Sequence, residues 1–120
     1  MAVRLQNWKT QLRKGILELC ILNALKEKEY YGYDLVQTLK KVDLLQMREG
    51  TVYPILARLE EDGLVTSETR PSSSGPPRKY VRITRSGRAY VAEANEHWRE
   101  IVQAVERAQS VQGKGANDGQ

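Results

Sequence analysis

Residues 49–65 read EGTVYPILARLEEDGLV, and this stretch decides the fold. Val52, Leu56 and Leu59 recur at spacings of three and four, which places them on one side of a helix. Gly63 follows, and glycine is favoured at the left-handed position that closes many helices. The stretch therefore predicts a short amphipathic helix that ends near Gly63.

The side of this helix opposite the apolar stripe carries only small or compact residues, Gly50, Pro54 and Ala57. A slim outward side lets a helix lie close in the major groove of DNA. Pro54 removes the backbone hydrogen bond to the Gly50 carbonyl, at a cost in stability that an ordinary surface helix does not require. The pattern favours a DNA-recognition helix over an ordinary surface helix.

Longer polar side chains flank the compact side of the helix, where they can reach base edges or phosphates. They are Thr51 and Arg58 on one flank, Tyr53 on the other, and Arg48 at the N-terminal end. We expect these four residues to contact DNA.

Two further helices are predicted upstream. Apolar residues at helical spacing indicate one or two helical pieces from about Leu5 to Leu25, and the part from Ile16 onward is apolar almost all round. Gly32 breaks the pattern, which resumes over residues 33–41 and is followed by an apolar turn. Three short helices with tight connections are typical of a helix-turn-helix.

Two β-prone runs follow, residues 64–69 and 78–83, and the polar residues 70–77 between them are rich in proline. The pair predicts a β-hairpin, which we call the wing. Alternation along the second run places Val81, Ile83 and Lys79 on its buried side. The basic residues of this region cluster, which favours a phosphate-contacting surface over a merely solvated strand. They are Arg70, Arg78, Lys79, Arg82, Arg85 and Arg88, with only Glu68 of opposite charge.

The last helix is predicted to begin after Thr84, a favourable N-cap residue. Its apolar residues form a heptad seam that consists of Val91, Ala94, Trp98, Ile101, Val105 and Ala108. No further folded segment of the chain remains to cover this seam, so we expect a second copy of the chain to cover it. Leu5 and Trp8 are expected to pack on the partner's seam.

These elements predict a mainly α-helical fold with a small β-hairpin. Residues 5–83 are expected to form a winged helix-turn-helix DNA-binding domain whose N-terminal helix also contacts the partner. Residues 84–111 form a C-terminal dimerisation helix, and the polar, glycine-rich residues 112–120 a disordered tail.

The composition fits one small basic domain. The 120 residues include 19 Lys and Arg against 15 Asp and Glu, a net charge of +4 that suits a polyanionic partner only if it gathers on one face. Cys20 is the only cysteine and sits in an apolar run, where a buried hydrophobic role is expected. Without a membrane-spanning run or a signal-peptide pattern, a reducing, cytoplasmic location is expected.

No pattern in the sequence indicates an enzyme. His97, the only histidine, has no cysteine or second histidine with which to share a metal ion. The acidic residues 60–62 are adjacent on a helix, so their carboxylates diverge instead of converging. No phosphate-binding glycine motif and no nucleophile motif is present. The sequence therefore predicts no catalytic residue, no metal site and no cofactor.

Three runs resemble the PadR family of bacterial transcription regulators: YGYDL at 31–35, the stretch at 49–65, and RKYVRITRSG at 78–87. The middle run matches the motif GTVYPxLxRLExxGLV, and the resemblance spans about Leu12 to Val105. The chain departs from the family where the common wing motif has two consecutive tyrosines, since it has Tyr80 followed by Val81. The short C-terminal region resembles the subfamily with a single dimerisation helix.

The resemblance implies a cytoplasmic homodimer that binds a double-stranded DNA operator containing an inverted repeat. It further implies a repressor that releases the operator when a small-molecule effector binds, although the choice between repressor and activator stays open. Matched by position, the implied DNA contacts are Tyr33, Arg48, Gly50, Thr51, Tyr53, Pro54, Arg58, Arg78 and Lys79.

Trp98 is a candidate ligand-binding residue, because a two-fold axis near the seam would bring two copies of it face to face. Two such indoles either pack directly or hold a flat aromatic effector between them, with Trp8 as a further wall. The alternative function for the whole chain is a winged-helix module that binds only proteins, with the wing against an acidic partner.

Overall fold

The computed structural model describes the backbone of residues 2–118 and the side chains of residues 2–110. The described elements are four α-helices, a short 3₁₀ turn and three strands. In chain order they are α1 (Ala2–Glu27), β1 (Tyr30–Tyr31), α2 (Gly32–Leu39), the 3₁₀ turn (Asp43–Leu45), α3 (Glu49–Glu61), β2 (Val65–Ser72), β3 (Gly75–Ile83) and α4 (Arg85–Asp118). The expected fold class, mainly helical with a small hairpin, is confirmed.

The predicted hairpin is formed by β2 and β3, which pair antiparallel. Its arms are longer than expected and its turn is confined to residues 73–74, because the strands continue through the prolines. The register shifts between Arg70 and Ser72, and this bulge accommodates Pro71 without a regular ladder partner. The proline-rich composition of residues 70–77 therefore predicted a longer turn than the structure has.

The strand β1 was not predicted from the sequence. It has only two residues, and it pairs antiparallel with the central strand β3, so the sheet order is β1-β3-β2. Two residues are too few to show an alternating pattern, and the pairing partner lies some fifty residues further along the chain, Tyr30 opposite Val81. The sheet thereby ties the wing directly to the segment that precedes α2.

The core is formed by the inner sides of all four helices and the base of the wing. The apolar stripe of α3 is confirmed, since Val52, Ile55, Leu56 and Leu59 are buried while Gly50, Pro54 and Ala57 are exposed. The C-terminal half of α1 contributes the largest share of the remaining core, as expected from its apolar surface: Leu17, Ile21, Leu22 and Leu25.

Two predicted helix boundaries are confirmed by their geometry. Gly63 has a φ angle of +76°, the left-handed conformation expected after the end of α3. The hydroxyl oxygen of Thr84 accepts a hydrogen bond from the Gly87 backbone N–H at 3.0 Å, and the same hydroxyl donates to the Gly63 carbonyl at 2.7 Å. Thr84 therefore caps α4 and also fastens it to the end of α3.

Gly32 does not interrupt the helical pattern, because it is the first residue of α2 and is buried. The helix α2 ends at Leu39, two residues before the expected end of the run. Upstream, α1 is one continuous helix and begins at Ala2, before the expected start of the domain at Leu5.

The helix α4 packs on α1 of the same chain, which corrects one part of the predicted seam. Val91 is fully buried within its own chain, so it belongs to the intrachain core and has no surface left for a partner. The backbone of α4 is helical to Asp118, beyond the expected end at residue 111. The expected disordered tail, residues 112–120, lies outside the residues whose side chains are described, and it stays a prediction.

Candidate nucleic-acid interface

The outward side of α3 is open to solvent along its whole length. Gly50, Pro54 and Ala57 form its slim centre, and all three are exposed. Tyr53 and Arg58 flank this centre and are also exposed, on opposite sides. The residues that the sequence placed on this side of the helix therefore share one accessible face.

A groove of about 260 Å³ lies between this face and the wing. It brings together three of the predicted DNA-contacting residues from three different elements, Tyr33 of α2, Tyr53 of α3 and Lys79 of β3. The prediction for Lys79 was wrong in one respect, because Lys79 is exposed although it shares a strand side with the buried Val81. Its side chain lies at the groove, beyond the part of the strand that the core covers.

Gly32 permits the close approach of the elements around this groove. A Cβ atom at Gly32 would lie 3.3 Å from Cε1 of Tyr53 and 3.9 Å from the Lys79 carbonyl oxygen. Partial burial against this surface, and secondarily the nearby Glu49 carboxylate, raise the pKa of the Tyr53 hydroxyl. Tyr53, like any tyrosine, is protonated at neutral pH, and the raised pKa only extends this to higher pH, so its hydroxyl can donate a hydrogen bond to a phosphate or base.

Arg48 and Thr51 lie apart from this groove, at the opposite end of the same face. The Arg48 carbonyl accepts hydrogen bonds from the backbone N–H groups of Thr51 and Val52, which starts α3. The Arg48 side chain is exposed and makes no capping hydrogen bond to the helix. Its guanidinium is therefore available beside the N-terminal end of α3.

Arg70 has a different role from the rest of the basic cluster. Its Nη1 and Nη2 atoms donate hydrogen bonds to the two carboxylate oxygens of Glu29, at 2.6 and 3.0 Å, and its Nε donates to Glu68 at 2.8 Å. Three of the five N–H donors of Arg70 are therefore bound to two carboxylates, and the expectation that Arg70 belongs to the phosphate-contacting surface stays a prediction. The bidentate pair links the wing to the segment between α1 and β1.

Aromatic rings continue this link toward α2. The Arg70 guanidinium lies 4.5 Å from the centre of the Tyr80 ring, and the Tyr80 and Tyr31 ring centres are 5.9 Å apart. Arg78 lies 4.7 Å from the centre of the Tyr31 ring. Arg78 is thus held beside the sheet by a cation–π contact while its side chain stays exposed.

Two residues of this region, Glu29 and Tyr31, were not among the predicted site residues. Tyr31 stands in the run YGYDL and could have been selected from that motif. Glu29 carries no local signal, since its partner Arg70 is 41 positions away in the sequence. Only the fold brings the two charges together.

We expect Glu29→Gln to weaken DNA binding severalfold, because the wing then loses its ion pair to the segment before α2. The Arg70 pair lowers the pKa of Glu29 below its ordinary value of 4.5, so the pair stabilises the fold above that pH and is lost as pH falls through the lowered pKa. The melting temperature of the wild type should thus fall more steeply than that of Glu29→Gln below about pH 5.

Glu27→Gln is the matched control, since Glu27 is an exposed carboxylate two positions away. Equal DNA affinity in both variants would show that the Glu29–Arg70 pair does not position the wing.

A second groove, of about 200 Å³, lies between α1 and α4. Trp98 lines it together with Leu19 of α1 and Tyr90 and Ile101 of α4, whereas Trp8 does not. His97 also lines this groove, with its Nδ1 atom 3.3 Å from the Glu100 carboxylate.

Two polar contacts fix α4 on α1 beside this groove. The side-chain amides of Asn23 and Asn95 exchange two hydrogen bonds of 2.8 Å each. The Tyr90 hydroxyl donates to Glu18 at 3.0 Å, and this contact raises the pKa of Tyr90. The direction in which α4 leaves the domain is therefore set within one chain.

An exposed slim helix, a supporting helix before it and a basic hairpin beside it define a winged helix-turn-helix DNA-binding protein. Among the described residues, no helix is long and apolar enough to cross a membrane.

Comparison with known proteins gives the family. The model of the transcriptional regulator PadR-like family matches residues 21–93. A transcriptional regulator of Mycobacterium tuberculosis is 34% identical over 100 residues, which cover 83% of this chain and 92% of that protein. The chain therefore belongs to the PadR-like family of transcriptional regulators, and it is not an enzyme. Regulators of this family bind DNA and typically dimerise.

Solved structures of this family share the fold. A PadR-like transcription factor from Bacteroides fragilis has a TM-score of 0.72 and 40% identity, covering 85% of this chain and 98% of that one. A PadR family regulator from Eggerthella lenta has a TM-score of 0.79 and 31% identity, covering 90% and 94%. The similarity therefore includes almost the whole length of both relatives.

Proposed function

We propose that this chain is a cytoplasmic repressor that binds an inverted-repeat operator as a homodimer and releases it when a small molecule binds. The observation that carries the DNA-binding part is the single accessible face shared by α3 and the wing. Tyr33, Tyr53 and Lys79 border one groove on this face, although they come from three separate elements. A surface of this composition supports contacts to both base edges and phosphates.

In this proposal, α3 lies in the major groove with its slim centre, Gly50, Pro54 and Ala57, closest to the bases. Tyr53 and Arg58 reach outward on the two flanks, and Arg48 and Thr51 stand at the N-terminal end. On the wing, Lys79 and Arg78 contact the backbone phosphates. Tyr33 at the start of α2 extends the same contact surface.

Selection of bound sequences from a random pool of duplex DNA tests the proposal. An inverted repeat with half-sites about one helical turn apart is expected, since a two-fold symmetric dimer presents two copies of α3. Binding to an unrelated duplex should weaken steeply with salt, because each neutralised phosphate releases counterions. A flat salt dependence and no enriched repeat would instead support a module that binds only proteins.

We expect Arg58→Ala to lower operator affinity about tenfold or more without lowering the melting temperature, because Arg58 is exposed and lies off the core stripe. Tyr53→Phe tests the hydroxyl alone, since the ring packs near Gly32 and its removal would also disturb the groove. Binding is measured by fluorescence anisotropy on the selected operator, and stability by thermal unfolding.

Arg107→Ala makes the same chemical change on an exposed part of α4 away from the DNA face, and it should leave operator affinity unchanged. A melting temperature well below that of the wild type in Arg58→Ala would show that Arg58 is a structural residue.

The dimer is proposed from apolar side chains that the single chain leaves exposed. Trp98 and Ile101 of α4 are 40% and 42% exposed, and Leu5 and Trp8 of α1 are 52% and 59% exposed. These residues lie on parts of α1 and α4 that the core of the single chain does not cover. One partner that packs along both helices would cover both sets at once. Ala94, Val105 and Ala108 complete the proposed seam; Val91 does not take part.

Trp98 is the proposed effector contact, because it lines an apolar groove that adjoins the seam. We expect a flat aromatic compound to quench tryptophan fluorescence with saturation in the wild type and much less in Trp98→Leu. Trp8 does not line this groove within one chain and remains fluorescent in that variant, so the quenching left in Trp98→Leu reports contact with Trp8 alone. Equal quenching in both proteins would leave Trp98 with a packing role only.

A further inference from the structure

We propose that a basic cleft between α1 and the start of α3 binds a backbone phosphate of the DNA, beyond the contacts of α3 and the wing. This inference rests on the proposed DNA-binding function and adds α1 to the contact surface. We call it the α1 cleft. Three cationic side chains border it together with polar groups: Arg13, Lys14, Arg48, Thr10, Gln46 and Thr51.

All charged side chains that line the α1 cleft are cationic. Its lining contains no carboxylate, and its volume of about 320 Å³ leaves room for a phosphate group and its water. Within the described part of the chain, Arg13, Lys14 and Arg48 make no ion pair. Arg70, by contrast, has three of its five N–H donors bound to two carboxylates. The cations of the α1 cleft are therefore available to an external anion.

Arg13 is placed unusually for a residue of this helix. Among residues 2–15 it alone is half-buried, whereas even the apolar Leu5, Trp8 and Leu12 are exposed. Its side chain must therefore lie along the domain surface, toward the 3₁₀ turn and the start of α3, whose residues form the other wall. An arginine held in this way loses less side-chain entropy when it binds a phosphate than one that is free in solvent.

The α1 cleft is continuous with the proposed DNA face. Arg48 and Thr51 belong to both, since they line the cleft and stand at the N-terminal end of α3. The backbone of a duplex that accepts α3 in its major groove passes beside this end of the helix. A phosphate is thus the anion expected here, bound through charge and hydrogen bonds that do not depend on the base sequence.

The test compares two double variants that remove the same charge from the same helix. Arg13→Gln/Lys14→Gln removes two cations of the α1 cleft and keeps most of each aliphatic stem. Arg4→Gln/Lys9→Gln removes two exposed cations that do not line the cleft. Binding of each full-length protein to an unrelated duplex and to the selected operator is measured by anisotropy from low to physiological salt.

The cleft variant should show a log–log salt dependence that is shallower by about 0.9 for each phosphate that the protein no longer neutralises, on both duplexes. Its preference for the operator over the unrelated duplex should be unchanged, and the control should keep the wild-type slope. If the cleft variant and the control show the same log–log salt dependence, the α1 cleft does not bind a phosphate, although the proposed DNA-binding function is unaffected. A wild-type slope that is itself flat overturns the proposed function and the site together.

Sedimentation of the same proteins distinguishes one other occupant, the partner copy of this chain. If the α1 cleft bound acidic residues of a partner, the cleft variant would shift toward monomer in the absence of DNA. That shift would overturn the phosphate site, and an unchanged sedimentation coefficient supports it.

Discussion

Ile101→Asp is expected to convert the proposed dimer to a monomer. Ile101 is 42% exposed within one chain and lies at the centre of the proposed seam, between Trp98 and Val105. A carboxylate buried in an apolar seam without a partner costs several kcal/mol, about the amount that breaking a buried ion pair costs. Sedimentation at micromolar concentration measures the change.

Loss of the dimer should also weaken operator binding by about 10²-fold or more. Two linked DNA-binding domains gain from the high effective concentration of the second domain once the first is bound, and a monomer loses this gain. Binding to a single half-site should change much less, since Ile101 lines neither the groove nor the cleft that border the proposed DNA face. The ratio of the two affinities therefore separates a dimer defect from a DNA-contact defect.

Gln103→Asp is the matched control, because it introduces the same carboxylate on an exposed side of α4 that is off the seam. Val105→Asp should behave like Ile101→Asp, since Val105 is 54% exposed and one turn further along the seam. A dimer that persists in both seam variants would assign the interface to another surface.

Gly87→Ala is expected to destabilise the domain by about 3 kcal/mol, the upper part of the range for overpacked sites. A Cβ atom at Gly87 would lie 2.1 Å from the Leu64 carbonyl oxygen and 2.7 Å from Cγ1 of Ile83. The Leu64 carbonyl cannot easily yield, because it accepts a hydrogen bond from the Thr84 backbone N–H at 3.0 Å. The added methyl group must therefore separate α4 from the end of α3.

The melting temperature of Gly87→Ala should fall by about 10 °C, measured at fixed protein concentration because a dimer melts in a concentration-dependent way. Gly50→Ala is the control for stability, since no heavy atom lies within 4 Å of a Cβ placed there. Its melting temperature should be unchanged or slightly higher, as alanine is the better helix former. Similar melting of both variants would contradict the tight contact at Gly87.

The sequence by itself determined the helices and the hairpin, and at Gly63 and Thr84 it also determined where one helix ends and another begins. The stripe of α3, its left-handed Gly63, the Thr84 cap and the hairpin each depend on residues a few positions apart. The helical repeat dictates which side chains share a side, and capping preferences dictate where a helix stops. The resemblance of residues 49–65 to the motif GTVYPxLxRLExxGLV also led to the right family, because that motif is specific for it.

Only the tertiary structure decided which charges are free to bind DNA. Arg70 looked equivalent to the other basic residues of the wing, yet Glu29 and Glu68 hold it, and Glu29 lies 41 positions away. Lys79 looked buried by alternation but borders the groove beside Tyr53. Local pattern gives the direction of a side chain relative to its own strand, whereas its surroundings depend on elements that are distant in sequence.

The packing of α4 was also decided by the tertiary structure. Its heptad repeat is continuous in sequence from Val91 to Ala108, but Val91 is buried on its own chain and Ile101 is exposed. The heptad repeat predicts that one side of α4 is apolar. It does not predict which helix packs against each segment of that side. That choice depends on where α1 ends its contact with α4, with Asn23 and Asn95 fixing the two helices against each other.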